Sequence, residues 1–430
     1  MIVSPAFAGK SYAVLGLARS GMATVETLAA SGASVMAWDS RPEAREAAAG
    51  KARIADPLAT SVYGFAGIVV SPGVPLNSHP IAERARAAKV PLIGDIELFA
   101  QARASLPPHK VVGITGTNGK STTTALLHHI LASAGIPAAM GGNIGLPILA
   151  QDPLPEGGVY VIELSSYQID LTQSLDCDVS ILLNISPDHL DRYDGIDDYA
   201  ASKARLFAMQ SPDNIAIIVG EDDHSLAIAG QVLGKRILVA AVDVGDQSLW
   251  PSLQGPHNAQ NVAAAGAAAR ALGVADAAIA AALETYPGLP HRMERVAERN
   301  GVLFVNDSKA TNPASTAPAL AAYPPNPDRR LHWILGGLAK SDDLDPCEPY
   351  LDHVRAAYTI GEAGPMFARL LDAKLPVTEC GVLDAAVGAA AGAAEAGEVV
   401  LLSPACASFD QFSNYEARGD AFRAAVEALA

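Results

Sequence analysis

VVGITGTNGKSTTTALLHHIL, residues 111–131, decides how this chain is read. An apolar run of strand length passes through the glycine-bearing turn GTNGKST into a segment with helical apolar spacing. Backbone N–H groups in such a turn, together with the helix N-terminus behind it, cradle phosphate oxygens. Gly116, Thr117, Asn118, Gly119, Lys120, Ser121 and Thr122 are therefore the candidate triphosphate-binding residues. Lys120 reaches toward the terminal phosphates, and the Ser121 hydroxyl suits Mg²⁺. The strict G-x-x-x-x-G-K-[ST] pattern is not met, because Ile114 stands at its first glycine, flanked by Gly113 and Gly116. An ordinary glycine-rich strand–helix turn is the alternative, and Gly-Lys-Ser in this context disfavours it. No Asn-Lys-x-Asp guanine reader and no LSGGQ signature accompanies the loop, which sets aside GTPases and transport ATPases.

Working outward, the same grammar repeats. Short Val/Ile/Leu runs alternate with Ala-rich amphipathic segments, the pattern of parallel strands joined by helical crossovers. Strands are predicted at 11–15, 34–38 and 67–70. A proline-bearing linker follows at 101–109, and a second region starts at Lys110. It holds strands near 159–164 and 179–185 and helices near 258–272 and 276–286. The turn-rich PGLPHR at 287–292 marks the next boundary, after which GVLFVND, HWILGG, AAYTIG and EVVLLSP read as strands around a Pro-rich loop at 323–330. With 430 residues, length alone suggests about three domains. The expectation is an α/β protein of three domains in series. These are a Rossmann-like domain at 1–105, a central P-loop-type domain with a mostly parallel sheet at 106–297, and a Rossmann-like domain at 298–430.

Composition narrows the partners. Lys and Arg total 30 against 46 Asp and Glu, a net charge of −16, which disfavours nucleic-acid and anionic-membrane binders that need broad basic surfaces. A small anionic ligand in a locally positive pocket remains compatible. Four scattered cysteines without a C-x-x-C pair give neither a disulfide framework nor a structural zinc site. No signal peptide and no membrane-length apolar run is visible, so a cytoplasmic, soluble protein is expected.

Downstream of the loop, VYVIEL ends in Glu163, where an acid can serve Mg²⁺ or simply cap the following helix. The strand VSILLN leads into SPDHLDRYDG, placing Asp188 and His189 at another strand end. Lys203, on a predicted helix with Ala200 and Phe207, reads by default as a solvated surface lysine.

Taken in order, these segments resemble the Mur ligase family of ATP-dependent amide ligases in peptidoglycan precursor synthesis. The resemblance rests on GTNGKST, GNIG at 142–145, Glu163, PDH at 187–189, Lys203, HN at 257–258, HR at 291–292, NDSKATNP at 306–313 and GG at 336–337. It spans essentially the whole chain. ELSSYQ, SPDHLDRY, NDSKATNPAST and SPACASFDQF at 403–412 are similar to the D-glutamate-adding branch. The DNPR-type motif of diaminopimelate- or lysine-adding relatives is absent, and folylpolyglutamate synthases lack the SPACAS segment.

The resemblance implies ATP, two Mg²⁺ ions and an acyl-phosphate route joining D-glutamate to UDP-N-acetylmuramoyl-L-alanine. It implies Lys120 on the β- and γ-phosphates, and Ser121, Glu163 and His189 at the metals. Lys203 would carry a CO₂-derived carbamate that supports a metal. Asn258, Arg292, Asp307 and Lys309 fall to the nucleotide, and Asn143 and His189 to the muramoyl substrate. Thr311, Lys340, Ser408 and Phe409 fall to D-glutamate, although the segment GGLAKSDDL is less glycine-rich than the pattern leads one to expect. A monomer acting on small molecules is expected.

In the first domain, GLARSG at 16–21 with Asp39 suggests a dinucleotide site, and hence an oxidoreductase. Ala18 occupies the second glycine of that fingerprint and breaks it. The resemblance assigns this region to UDP instead, through Leu15, Gly16, Leu17, Ser40, Arg41 and Gly73. Loops that merely pack the sheet remain the alternative for each of these residues.

Overall fold

The computed structural model describes residues 1–188 and 191–429. Among them, seventeen strands form three sheets. The first contains β1 (Ser11–Leu15), β2 (Ser34–Trp38), β3 (Arg53–Ile54), β4 (Gly67–Val70) and β5 (Leu92–Ile93), ordered β3-β2-β1-β4-β5 and parallel throughout. The second contains β6 (His109–Thr115), β7 (Ala138–Gly142), β8 (Gly158–Glu163), β9 (Val179–Leu182), β10 (Ile215–Val219) and β11 (Lys235–Val239), ordered β11-β10-β9-β6-β8-β7 and also parallel. The third contains β12 (Glu294–Arg299), β13 (Val302–Asn306), β14 (Leu331–Gly336), β15 (Val354–Ile360), β16 (Val377–Gly381) and β17 (Val399–Leu402), ordered β12-β13-β17-β14-β15-β16. Only β12 in that sheet is antiparallel.

Burial separates many of the legible strands from the rest, although β10, buried over four of its five residues, was not predicted. β8 and β14 are buried at every residue, so they read as unbroken apolar runs. β11 and β16 are largely exposed edge strands, and neither stood out in the sequence. The run at 179–185 stops as a strand at Leu182; Asn184 beyond it braces the phosphate loop instead.

Contacts divide the chain into two compact units, residues 1–240 with 261–282 and residues 241–260 with 283–430. The first unit holds the first two sheets over one continuous apolar core, in which Phe99 meets Tyr160 edge-on at 5.0 Å. Buried Glu97 ties the two sheets together by accepting from Gln173 N (2.7 Å), Ser174 N (2.9 Å) and Ser174 Oγ (2.7 Å). Three donors on one carboxylate offset its desolvation. The second unit buries both faces of the third sheet, around Trp333 and Phe367 on one side and Phe304 and Phe422 on the other. No helix among the described residues is long and apolar enough to cross a membrane.

Candidate active site

In the first unit the site is built at the carboxyl end of β6, between β8 and β9, where the sheet order reverses. Such a switch point opens a crevice above the sheet. The loop after Thr115 turns through Gly116 (φ +147°) and Gly119 (φ +83°) into the helix Lys120–Ser133. Only glycine fits at 119, since a Cβ there would lie 2.2 Å from Asn261 Oδ1. Asn184 O accepts from Thr117 N (2.8 Å), and Asn184 Oδ1 accepts from Asn118 N (2.9 Å). Thr123 Oγ1 donates to Asn261 Oδ1 at 3.1 Å. Neither asparagine was singled out in the sequence, because their role is geometric and no local motif advertises it.

Two lysines converge on this loop. Lys120 Nζ donates to Gly116 O (2.9 Å) and Thr117 O (2.7 Å), and Lys203 Nζ donates to Gly116 O (2.9 Å). The solvated reading of Lys203 is overturned: it is 1% exposed, on the helix Ile196–Ala208, with Nζ 4.3 Å above the Tyr199 ring. Burial, and then the neighbouring Lys120 charge, hold its amine well below the usual lysine range. Asp188 and Asp170 partly oppose that shift.

Glu163 ends β8 as expected and is buried. Its Oε1 accepts from Asn143 Nδ2 at 3.1 Å, and its carbonyl accepts from Asn143 N at 3.0 Å. Its other oxygen, Oε2, is buried with no hydrogen-bond partner among the described residues. An unsatisfied buried carboxylate oxygen beside a phosphate-type loop, with the Ser121 hydroxyl at the start of the helix, is a donor set that fits a hard cation. No three His, Cys, Asp or Glu side chains converge as a metal cluster among the described residues. His189 lies outside the described residues.

At the first sheet, buried Asp39 organises the loops that carry the other candidates. It accepts from Leu17 N (2.7 Å), Arg41 N (2.9 Å) and Arg41 Nε (3.2 Å), while Ser71 Oγ donates to Gly16 O (3.0 Å). Burial alone would raise the Asp39 pKa; its bonds to Arg41 and Leu17 outweigh that and hold it low. Leu15, Gly16, Leu17, Ser40 and Arg41 thus gather at one end of β1 and β2. Gly73 stands after β4 in a stretch where a side chain would meet open space.

The second unit gathers the remaining candidates. Asp307 is buried, accepting from Met293 N (3.2 Å) and Ser403 Oγ (2.8 Å). Burial pushes its carboxyl up to about 7, against opposing contributions from Ser403 and Arg292. His257 is pushed down to about 4 by burial and then by Arg292, so the HN and HR motifs, with Asn258, are electrostatic neighbours. Lys309 Nζ sits 4.1 Å above the Tyr415 ring. Lys340 Nζ donates to Thr311 Oγ1 at 3.3 Å, and Leu338 pairs with Ala407 through two backbone bonds of 2.9 and 3.0 Å. The GGLAK and ACASF segments therefore lie side by side, with Ser408 buried and Phe409 68% exposed. That approach requires glycine at 337, where a Cβ would stand 2.3 Å from Ala407 O.

Sequence reasoning missed Arg418. It is 1% exposed and donates to Ser308 Oγ (3.0 Å), Ser308 O (2.8 Å), Cys406 O (3.0 Å) and Ala407 O (3.2 Å). One guanidinium thereby fastens NDSKATNP to SPACASF. A helical arginine in YEARGDAF carries no local sign of that burial.

Two family models match the chain: the Mur ligase middle domain over residues 114–251 and the Mur ligase, glutamate ligase domain over residues 291–406. The chain is 67% identical over its full length to a protein of Novosphingobium aromaticivorans named UDP-N-acetylmuramoylalanine–D-glutamate ligase, covering 97% of that relative. It is 64% identical to the protein of the same name from Sphingopyxis alaskensis, with both chains fully covered. Among solved structures, UDP-N-acetylmuramoylalanyl-D-glutamyl-2,6-diaminopimelate–D-alanyl-D-alanyl ligase from Acinetobacter baumannii shares the fold at a TM-score of 0.60 and 19% identity, covering 99% of this chain and 92% of that one.

Proposed function

The chain belongs to the Mur ligase family, and from that premise we propose that it joins D-glutamate to UDP-N-acetylmuramoyl-L-alanine, converting ATP to ADP and phosphate in peptidoglycan precursor synthesis. The observation that carries this reading is 67% identity, end to end, with a relative bearing that name. The convergence of Lys120 and Lys203 on the phosphate loop supports it.

The loop amides, Lys120 and Thr122 hold the triphosphate, with Asn258, Arg292, Asp307 and Lys309 as further nucleotide contacts. The acceptor carboxylate oxygen attacks the γ-phosphorus, and the bond to the departing ADP oxygen breaks. The glutamate nitrogen then attacks the acyl carbon, phosphate leaves, and the nitrogen loses a proton to give the amide. Phosphoryl transfer of this kind depends on positioning and charge neutralisation more than on covalent help from the protein.

Two Mg²⁺ ions supply much of that neutralisation when bound. Ser121, Glu163, His189 and carbamylated Lys203 are the side chains proposed to hold them. The depressed amine of Lys203 supports carbamylation, because a neutral amine attacks CO₂, forming an N–C bond and releasing a proton. Asn143, hydrogen-bonded to Glu163, and the loops bearing Leu15, Gly16, Leu17, Ser40, Arg41 and Gly73 take the UDP-muramoyl acceptor. Thr311, Lys340, Ser408 and Phe409 take D-glutamate, whose side-chain carboxylate asks for an ammonium and a hydroxyl. Four free cysteines, three of them buried, accord with a reducing cytoplasm, where the chain is proposed to act as a monomer.

The test is phosphate release from ATP and Mg²⁺ across an amino-acid panel, with and without the UDP-muramoyl acceptor. Release is expected only with acceptor and D-glutamate together. Preference for L-glutamate or diaminopimelate would refute the substrate assignment.

A further inference from the structure

Between the 72–77 loop of the first sheet and the phosphate loop of the second runs an unbroken chain of side-chain contacts. Arg192 donates to Gly73 O (3.1 Å) and Val74 O (3.2 Å), while Asn77 Nδ2 donates to Asp191 O (3.1 Å). The Arg192 guanidinium lies 4.8 Å from the centre of the Tyr167 ring. Tyr167 stacks on Tyr193, with ring centres 6.0 Å apart and planes 12° from parallel. Tyr193 packs on Tyr199 at 5.4 Å and 56°. Tyr199 then pairs its hydroxyl with Thr117 Oγ1 (3.3 Å) and presents its ring face to Lys203 Nζ (4.3 Å).

The ladder is braced from the side. Asp170 accepts from Tyr193 OH and from Ser202 Oγ, each at 2.8 Å, and Ser202 immediately precedes Lys203. Two-bond donation by a planar guanidinium that also stacks on an aromatic ring fixes a loop more tightly than an ammonium can.

We infer that Arg192 is a positioning residue that couples acceptor binding at the 72–77 loop to ATP binding at the phosphate loop, through Tyr167, Tyr193 and Tyr199. The inference rests on the reading that the Gly73 loop receives the UDP part of the acceptor. Seating the acceptor fixes Gly73 and Val74, which fixes Arg192 and the ring stack beneath it. The last ring touches both Thr117 of the loop and Lys203, so each substrate finds its site better ordered once the other is bound. Coupling of this kind is reciprocal.

The experiment is calorimetric titration of UDP-N-acetylmuramoyl-L-alanine with and without a non-hydrolysable ATP analogue and Mg²⁺, on wild type, Arg192→Ala and Tyr193→Leu. In wild type the analogue tightens acceptor binding at least about fivefold. In both variants that factor falls to about one. Tyr193 hydrogen-bonds to Asp170 rather than to the Gly73 carbonyl or Thr117, so its effect reports the ladder and not a lost hydrogen bond at either end. In turnover, Arg192→Ala raises acceptor KM about tenfold, the worth of a single charged hydrogen bond at the low end of its range, with kcat within about threefold of wild type. A merely structural defect lowers the active fraction and leaves the coupling factor intact. Should Tyr193→Leu not fold, Arg192→Ala, at a partly exposed position, decides alone. Acceptor binding without coupling in wild type, or full coupling in the variants, overturns the inference while leaving the UDP reading standing. Wild type that binds the ATP analogue but not the acceptor overturns both.

Discussion

Lys203 shows how far a single residue can be read. Helical spacing alone makes it a surface lysine; the fold buries it against Tyr199 and the Gly116 carbonyl. Burial is a tertiary property, so no local pattern announces it. Glu163 was legible because a strand end in a parallel sheet already points to the crevice; its unsatisfied Oε2 was not. Lys203→Ala is expected to lower kcat by about 100-fold or more, the scale of losing one preorganised charge at a phosphoryl-transfer centre. Short-chain carboxylates should restore part of it if Lys203 carries the proposed carbamate, by standing in for that group. Unchanged turnover in the variant removes Lys203 from the site.

At the scale of elements, loops carry the site and buried strands fix where the loops begin. Central strands such as β8 and β14 were legible as apolar runs, and the phosphate loop as a strand–glycine–helix junction. The bracing of one loop by another was not, because it joins residues from 66 to 138 positions apart. Arg418, 110 residues from Ser308, is the clearest case. Arg418→Met keeps bulk and removes all its donors, leaving the carbonyls of Ser308 and Cys406 short of a partner while Ala407 O keeps the Leu338 N–H. It should destabilise the second unit by about 3 kcal/mol, the worth of one or two charged hydrogen bonds in a buried site, and raise KM for the amino acid. Urea unfolding and steady-state kinetics check the two effects. An unchanged midpoint would show that the loops hold together without it.

Over the whole molecule, the net charge of −16 sits beside substrates that are themselves anionic. Lysines and arginines at the loop and strand ends supply local positive charge where the excess is negative overall. Part of the acidic excess is inward and costly. Asp95, buried at the start of the helix Asp95–Ala102, is pushed up from 3.8 to about 6 by desolvation, against its bond from Ile96 N. A folded pKa above the unfolded one favours folding at low pH, and that contribution is lost as pH rises from about 4 through 6. Roughly 3 kcal/mol is at stake. Asp95→Asn, which keeps an acceptor for Ile96 N, is expected to be nearly neutral at pH 4 and to stabilise at pH 7.5. Urea midpoints at the two pH values check the sign; a difference independent of pH contradicts it.

The most direct test of the ligase chemistry follows oxygen. UDP-N-acetylmuramoyl-L-alanine labelled with ¹⁸O in its terminal carboxylate is incubated with ATP, Mg²⁺ and D-glutamate, and the released phosphate is weighed by mass spectrometry. Attack of that carboxylate on the γ-phosphorus transfers one labelled oxygen to each phosphate, alongside ADP and the glutamyl amide. Amide formation with unlabelled phosphate, or with label in AMP, would contradict the acyl-phosphate route.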